Sequence, residues 1–374
     1  MQGPADRRIQ FTIYSEVMVM RRWGQTLWTG LLLGGLACLL FSFPAQSTES
    51  ARKGIQICLD LIIPSLFPFF VVSSLAISTG LAGLLAQPLE KAIRFLFGVG
   101  PAGASLLFLG AVGGYPTGAR TLAQMTARGD LSPREARQLY LFCNNCGPAF
   151  FIGVVGGELF GSREVGLLLW GTHLLAALVI GFFYRCPHPI HTARTPTLSP
   201  LSAEFPEAVK GAFQSTLNVC AYVILFSVIT GLLSCIHILP SHPLGKSFCV
   251  GFLEISTGIA SLGEAVSSPA ALPLAAFLLG WGGCSVHCQS LPFWRELGLP
   301  TGPYLLAKFC QGLLAAGLTL LFCHFFPLAL PVMAPTACTV PGLLGQEITA
   351  LWALSGCYTL LHGKRGRRIE KNTV

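Results

Sequence analysis

The sequence predicts an all-α, polytopic membrane protein of about eight transmembrane helices plus two re-entrant or broken helices. Three observations predict it. Of 374 residues, 52% are hydrophobic and only 11% charged, where a soluble domain carries about 25% charged residues. The mean hydropathy is +0.64, and several apolar runs reach the roughly 20 residues needed to cross a bilayer. Glycine and proline clusters interrupt some of these runs. Such a break survives at membrane depth only where it is buried in protein or lines a wet cavity. The net charge of +8 sits mostly at the ends and in connections. Arg7, Arg8, Arg21 and Arg22 precede the first run, and Lys364, Arg365, Arg367, Arg368 and Lys371 follow the last. This pattern is a topology signal rather than a nucleic-acid footprint. It puts both termini in the cytoplasm and makes the number of spans even.

Residues 1–50 hold an N-terminal segment and the first span, 25–43. Met18 and Met20 stand just before Arg21-Arg22, so residues 1–17 read as a mis-assigned start. The run reads as an uncleaved span, because Ser42-Phe43-Pro44-Ala45 lacks a small-x-small cleavage pattern. Residues 44–54 form a polar link. Residues 55–80 are apolar but kinked or broken at Pro64 and Pro68. Residues 87–98 are too short to span and amphipathic. Residues 101–120 read as re-entrant or as half of a broken helix. The charged connection 120–137 offers Ser132 as an N-cap, Pro133 at the first helical position and Glu135 in the first turn. Residues 138–160 form a span interrupted by Asn144-Asn145-Cys146-Gly147-Pro148, and 165–184 an uninterrupted one. The polar stretch 186–207 separates two halves. Spans follow at 211–236, 271–291, 304–327 and about 345–362, with a shorter segment at 247–264 and a basic tail at 363–374.

The halves echo each other. Ala51-x-Lys53-Gly54 recurs as Ala208-x-Lys210-Gly211, and Phe108-Leu109-x-x-x-Gly113-Gly114 as Phe277-Leu278-x-x-x-Gly282-Gly283. The order is shared, which argues for a duplication with repeats at 51–186 and 208–362 around a cytoplasmic linker at 187–207. Under the positive-inside reading the first repeat enters the bilayer from outside and the second from the cytoplasm. Inverted repeats with paired broken segments are a transporter architecture. The bland alternative is a duplication kept only for packing.

Candidate site residues fall at the interruptions. At Gly114-Tyr115-Pro116-Thr117-Gly118, a proline and glycines expose backbone groups beside a hydroxyl; the alternative is a turn at the membrane surface. Asn144 and Asn145 either hold a polar ligand or satisfy their own broken backbone. Glu254 is an acid in an apolar segment, where a carboxylate needs a partner or water. It reads as a proton, cation or ligand site, or as a carboxyl at a short helix's end. Ser285, His287 and Gln289 would share one face if extended, and His287 reads as a ligand contact or a buried structural histidine. Cys143-x-x-Cys146 and Cys284-x-x-His287-Cys288 suit zinc by residue type. The 14 cysteines lie mostly in apolar runs, however, where thiols act as small hydrophobes, so no metal and no cofactor is expected. No Walker loop, His-Glu-x-x-His or Gly-x-Ser-x-Gly motif occurs, and nothing points to an enzyme or an ATP-driven pump.

Gly114-Tyr115-Pro116-Thr117-Gly118-Ala119-Arg120, Phe142-x-Asn144-x-x-x-Pro148 and Gly282-Gly283-x-Ser285-Val286-His287-x-Gln289 resemble motifs of the YlbJ sporulation integral membrane proteins. Leu66-Phe67-Pro68-Phe69-Phe70 and Glu254-Ile255-Ser256-Thr257-Gly258 fit as well, and the resemblance covers roughly residues 50–330. That family is classed with the nucleoside-recognition, or gate, domain, similar to part of the concentrative nucleoside transporters. Its members belong to spore-forming Firmicutes and are implicated in spore cortex formation. The resemblance implies a multi-pass protein of a bacterial inner membrane and names no substrate. This chain departs from the pattern at Cys143, Cys146, Cys284 and Cys288. The reading is alternating access to a small polar solute, nucleoside-like or a cell-wall precursor. The lipid bilayer is the surrounding partner, and a homo-oligomer is allowed. The runner-up is a membrane scaffold for cortex assembly.

Overall fold

A computed structural model describes residues 26–185 and 200–326. The span expected near 345–362, the basic tail and residues 1–25 lie outside the described residues. Every element within them is helical. Five helices are long and apolar enough to cross a membrane: Pro44–Ser78, Arg163–Phe183, Leu201–Cys235, Ala271–Glu296 and Thr301–Phe325. A sixth arises if Gly83–Phe97 and Pro101–Val112, bent by 104°, count as one broken span. The described residues thus hold five or six spans, against eight expected for the whole chain, one of which lies outside them. Among the described residues, α1 (Thr26–Ser42) is shorter than these, and residues 138–160 do not form a single helix.

The polar link expected at 44–54 is helical. α2 (Pro44–Ile57), a π-helical turn (Cys58–Ile62) and α3 (Ile63–Ser78) run on as one unit. The prolines do not break it. The wide turn closes when the Ile63 amide donates to Cys58 O. Pro64 then follows directly on the wide turn, where the i→i+5 register has already displaced the regular ladder that its missing N–H would interrupt. Against this unit packs α9 (Leu201–Cys235), which already begins inside the expected linker. Gly54 lies so close to α9 that an added Cβ would sit 3.0 Å from Ile224 Cα and Ser227. Cys58 Sγ lies 3.7 Å from Cys220 O. Contacts that climb in number on one helix fall on the other, so the two run antiparallel.

α4 (Leu81–Phe97) begins earlier than the amphipathic segment expected at 87–98 and leads into α5 (Pro101–Val112). A break at Gly113–Pro116 follows, then α6 (Thr117–Ala127) and α7 (Pro133–Leu139). The Ser132 cap forms as predicted. Its hydroxyl accepts from the Glu135 amide at 3.2 Å, and Glu135 accepts from the Ser132 amide at 3.0 Å. Residues 144–147 are non-helical before a π-helix at Phe150–Leu159 and α8 (Arg163–Phe183). The second half contains α10 (Pro243–Leu253), α11 (Ile255–Ser261), α12 (Ala271–Trp281), α13 (Gly283–Glu296) and α14 (Thr301–Phe325). α12–α13 is the central span: 78% of its most apolar stretch is buried, against 17% for α2–α3.

Candidate functional site

Four helix breaks meet in the middle of this bundle. They lie at Gly113–Pro116, Asn144–Gly147, Glu254 and Gly282–Gly283. An added Cβ on Gly114 would lie 3.3 Å from Gly147 N, and one on Gly282 3.3 Å from the Tyr115 ring. One on Gly283 would lie 3.3 Å from Glu254 Cα. Gly114, Gly282 and Gly283 all have positive φ, at 72°, 87° and 79°. Side chains resist that conformation, so glycine serves both the turn and the close approach.

Side chains satisfy backbone groups around these breaks, some from the same segment and some from other elements, as buried backbone requires. Glu254 is extended, with φ −143° and ψ 118°, between α10 and α11. Its carboxylate accepts from the Ser256 amide at 3.1 Å, the Thr257 amide at 2.6 Å and the Thr257 hydroxyl at 2.8 Å. The Ser256 amide is the normal helical partner of Phe252 O. That carbonyl instead accepts from Trp281 Nε1 at 2.9 Å. Tyr115 Oη donates to Leu279 O in the last turn of α12 at 3.3 Å. Pro292 frees Cys288 O, which accepts from Tyr222 Oη at 3.5 Å.

The non-helical stretch 144–147 is flanked by glycines, with Cys143 O against Gly110 and Gly118 and Gly147 against Gly114. Pro148 supplies no amide for Asn144 O, and the ammonium of Lys308 on α14 donates to that carbonyl. Lys308 also donates to Gln311 Oε1 at 2.8 Å and to Asn145 Oδ1 at 3.4 Å, and lies 5.4 Å from the centre of the Tyr115 ring. Gln311 Nε2 donates to Asn145 Oδ1 at 3.0 Å. Asn144 Nδ2 donates to Ser290 Oγ at 2.9 Å and Tyr304 Oη at 3.3 Å. The Cys146 amide donates to His173 Nε2 at 3.4 Å. Lys308, Gln311, His173, Ser290 and Tyr304 are fully buried and were not singled out from the sequence. Lys308 could have been: it is the lone charged residue in the run 297–346, and a lone intramembrane charge is a site signal.

Beside this network lies a cavity of about 40 Å³. It is lined by Gly114, Tyr115, Cys146, Glu254, Val286 and Gln289 among others. Of the sequence candidates, Gly114, Tyr115, Glu254 and Gln289 reach it. Asn144 and Asn145 sit in the lysine network next to it. Pro116 stands at the N-cap position of α6, Thr117 donates to Gly113 O at 3.0 Å, and Gly118 packs against the Cys143–Asn144 backbone. Ser285, His287 and Gln289 are helical, not extended, because α13 starts directly after the glycine pair. Ser285 and Gln289 therefore lie one turn apart. His287 faces elsewhere, its ring 4.2 Å from that of Trp281 and 5.4 Å from that of Tyr304. Ser285 Oγ, Gln289 Oε1 and both His287 nitrogens have no hydrogen-bond partner among the described residues. No cluster of three or more His, Cys, Asp or Glu side chains suited to a metal occurs among the described residues.

Apolar spans around a cross-braced polar centre define a multi-pass helical membrane protein. Comparison with known proteins goes one step further. The chain is 29% identical over 321 residues to the "Sporulation integral membrane protein YlbJ" of Bacillus subtilis (strain 168), covering 75% of this chain and 78% of that protein. The YlbJ resemblance carried by the motifs is thereby shown. No family model and no solved structure matches the chain.

Proposed function

We infer that this chain is a transporter-like membrane protein of sporulation. Its site for a small polar solute is the meeting point of the four breaks. The observation that carries this is the convergence of Gly114, Gly147 and Glu254, from three separate interruptions, with Gln289 of α13, on one cavity. Gln289 lines that cavity, and its Oε1 is buried without a hydrogen-bond partner among the described residues. Packing alone does not call for three interruptions to meet at one cavity, since each leaves backbone groups to satisfy.

About 40 Å³ accommodates one or a few waters, whereas drug-sized ligands occupy about 300–1,000 Å³. A nucleoside-like solute or cell-wall precursor therefore requires the breaks to move apart, and two inverted repeats rocking about the site provide that motion. The antiparallel packing of α2–α3 on α9, which carry the matched Ala-x-Lys-Gly segments, supports this reading. So does the approach of Gly282 to Tyr115. Both termini lie in the cytoplasm of a bacterial cell in this scheme, and cysteines introduced at Ser47 and Ser199 are labelled from opposite sides. Purified protein in liposomes tests the function. Saturable flux of a nucleoside or cell-wall precursor supports it. Absence of flux and binding, with protein partners retained in a pull-down, favours an assembly scaffold instead.

A further inference from the structure

The Lys308 ammonium is held unlike an ordinary buried charge. Among the described residues no carboxylate lies within the 4.0 Å of an ion pair, and the three ion pairs present involve other residues. Its surroundings are instead neutral oxygens: a main-chain carbonyl freed by a proline, and the side-chain oxygens of Asn145 and Gln311. An aromatic face stands beyond them. An ammonium has three N–H donors, and three acceptors face it. A neutral amine, with two donors and a lone pair, would turn that lone pair toward an oxygen. The acceptors come from two elements, the non-helical stretch 144–147 and α14. Broken segments in transporters present freed carbonyls of this kind to monovalent metal ions.

We propose that the Lys308 side chain is a tethered cation. It fills an oxygen-lined site of the type that would otherwise bind a monovalent cation, and so holds the non-helical stretch 144–147 against α14 without sodium. The charge is supplied by the chain itself, and its three donors are already used. Lys308 is thus a positioning residue rather than a free hook for an anionic solute. The inference rests on the transport reading in one respect only: if transport is ion-coupled, sodium at this position is not the coupling ion.

The test is thermal unfolding of the full chain, purified in detergent, which needs no transport activity. Wild type is expected to melt at the same temperature in sodium chloride and choline chloride. K308A removes the ammonium and leaves the oxygens, so it should melt lower and be restored saturably by methylammonium, and to a smaller extent by sodium, by about 2–4 °C. K308M fills the space without charge and should melt lower with no response to either cation. Should K308A not survive extraction, its yield becomes the readout. Methylammonium in the extraction buffer then raises the yield of K308A and not of K308M. A wild type stabilised by sodium over choline overturns the proposal. So does a K308A that responds to methylammonium no more than K308M does. Loss of flux in liposomes with these melting results intact would overturn the transport reading and leave the tethered cation standing.

Discussion

Glu254 is where a role in capping and a role in proton movement can be separated. Its carboxylate takes two main-chain amides and one hydroxyl, at 2.6–3.1 Å, and the residue is 1% exposed. Glu254→Gln replaces one accepting oxygen with an NH2 group that cannot accept. Whichever way the amide turns, the Ser256 or Thr257 amide is stranded. A stranded buried donor costs about 1–3 kcal/mol. Glu254→Ala strands both amides and should cost about twice as much. Unfolding of the purified variants in detergent measures the order: wild type above Gln, Gln above Ala. A Gln variant within about 0.5 kcal/mol of wild type would refute the capping geometry. Uptake driven by a pH gradient reads the second role. If the carboxylate carries protons, Glu254→Gln abolishes that uptake; unchanged uptake removes the proton role and leaves the cap alone.

Other consequences follow from single contacts. Gly118→Ala would place a Cβ 2.8 Å from Asn144 Cα and Cys143 C, where carbon atoms normally stay about 3.5–4.0 Å apart. It should destabilise by about 1–3 kcal/mol in an unfolding assay. Gly171→Ala, whose Cβ meets nothing within 4 Å, should be neutral or slightly stabilising by the same assay. Ser132→Ala removes the capping box far from the cavity. It should cost about 0.5–2 kcal/mol and leave solute binding unchanged in a thermal-shift titration. Arg120→Ala loses hydrogen bonds to Gly211 O at 3.3 Å and Ser215 Oγ at 2.8 Å. It should loosen α6 from α9, seen as faster hydrogen exchange in both helices.

The parts of this fold legible in the sequence are those set by local chemistry. Ser132-Pro133-x-Glu135 announced its helix start, because capping depends on neighbours three residues away. Gly113-Gly114 and Gly282-Gly283 announced breaks, because only glycine takes positive φ freely. Pro148 and the asparagines before it marked the third break. What the sequence hid depends on partners far along the chain. Pro64 looked like a breaker, yet a wide turn at Cys58–Ile62 absorbs it. Ser285, His287 and Gln289 looked like an extended face. The glycine pair instead ends one helix and starts the next, which turns His287 away from the other two. Glu254 read either as a site or as a carboxyl at a short helix's end, and it caps the seven-residue α11 through the amides of its own next turn. The lysine network joins residues about 160 positions apart, and no local pattern pairs Asn144 with Lys308. The lone charge in an apolar run was visible, but its role was not.

The central claim is that the breaks form a solute site and not merely a packing knot. Its most direct test is a thermal-shift titration of the purified chain with nucleosides and cell-wall precursors, run beside Gln289→Ala and Ser132→Ala. The account predicts that at least one solute stabilises wild type and Ser132→Ala saturably, and that Gln289→Ala loses most of that response. Equal stabilisation of all three proteins, or of none, would contradict it.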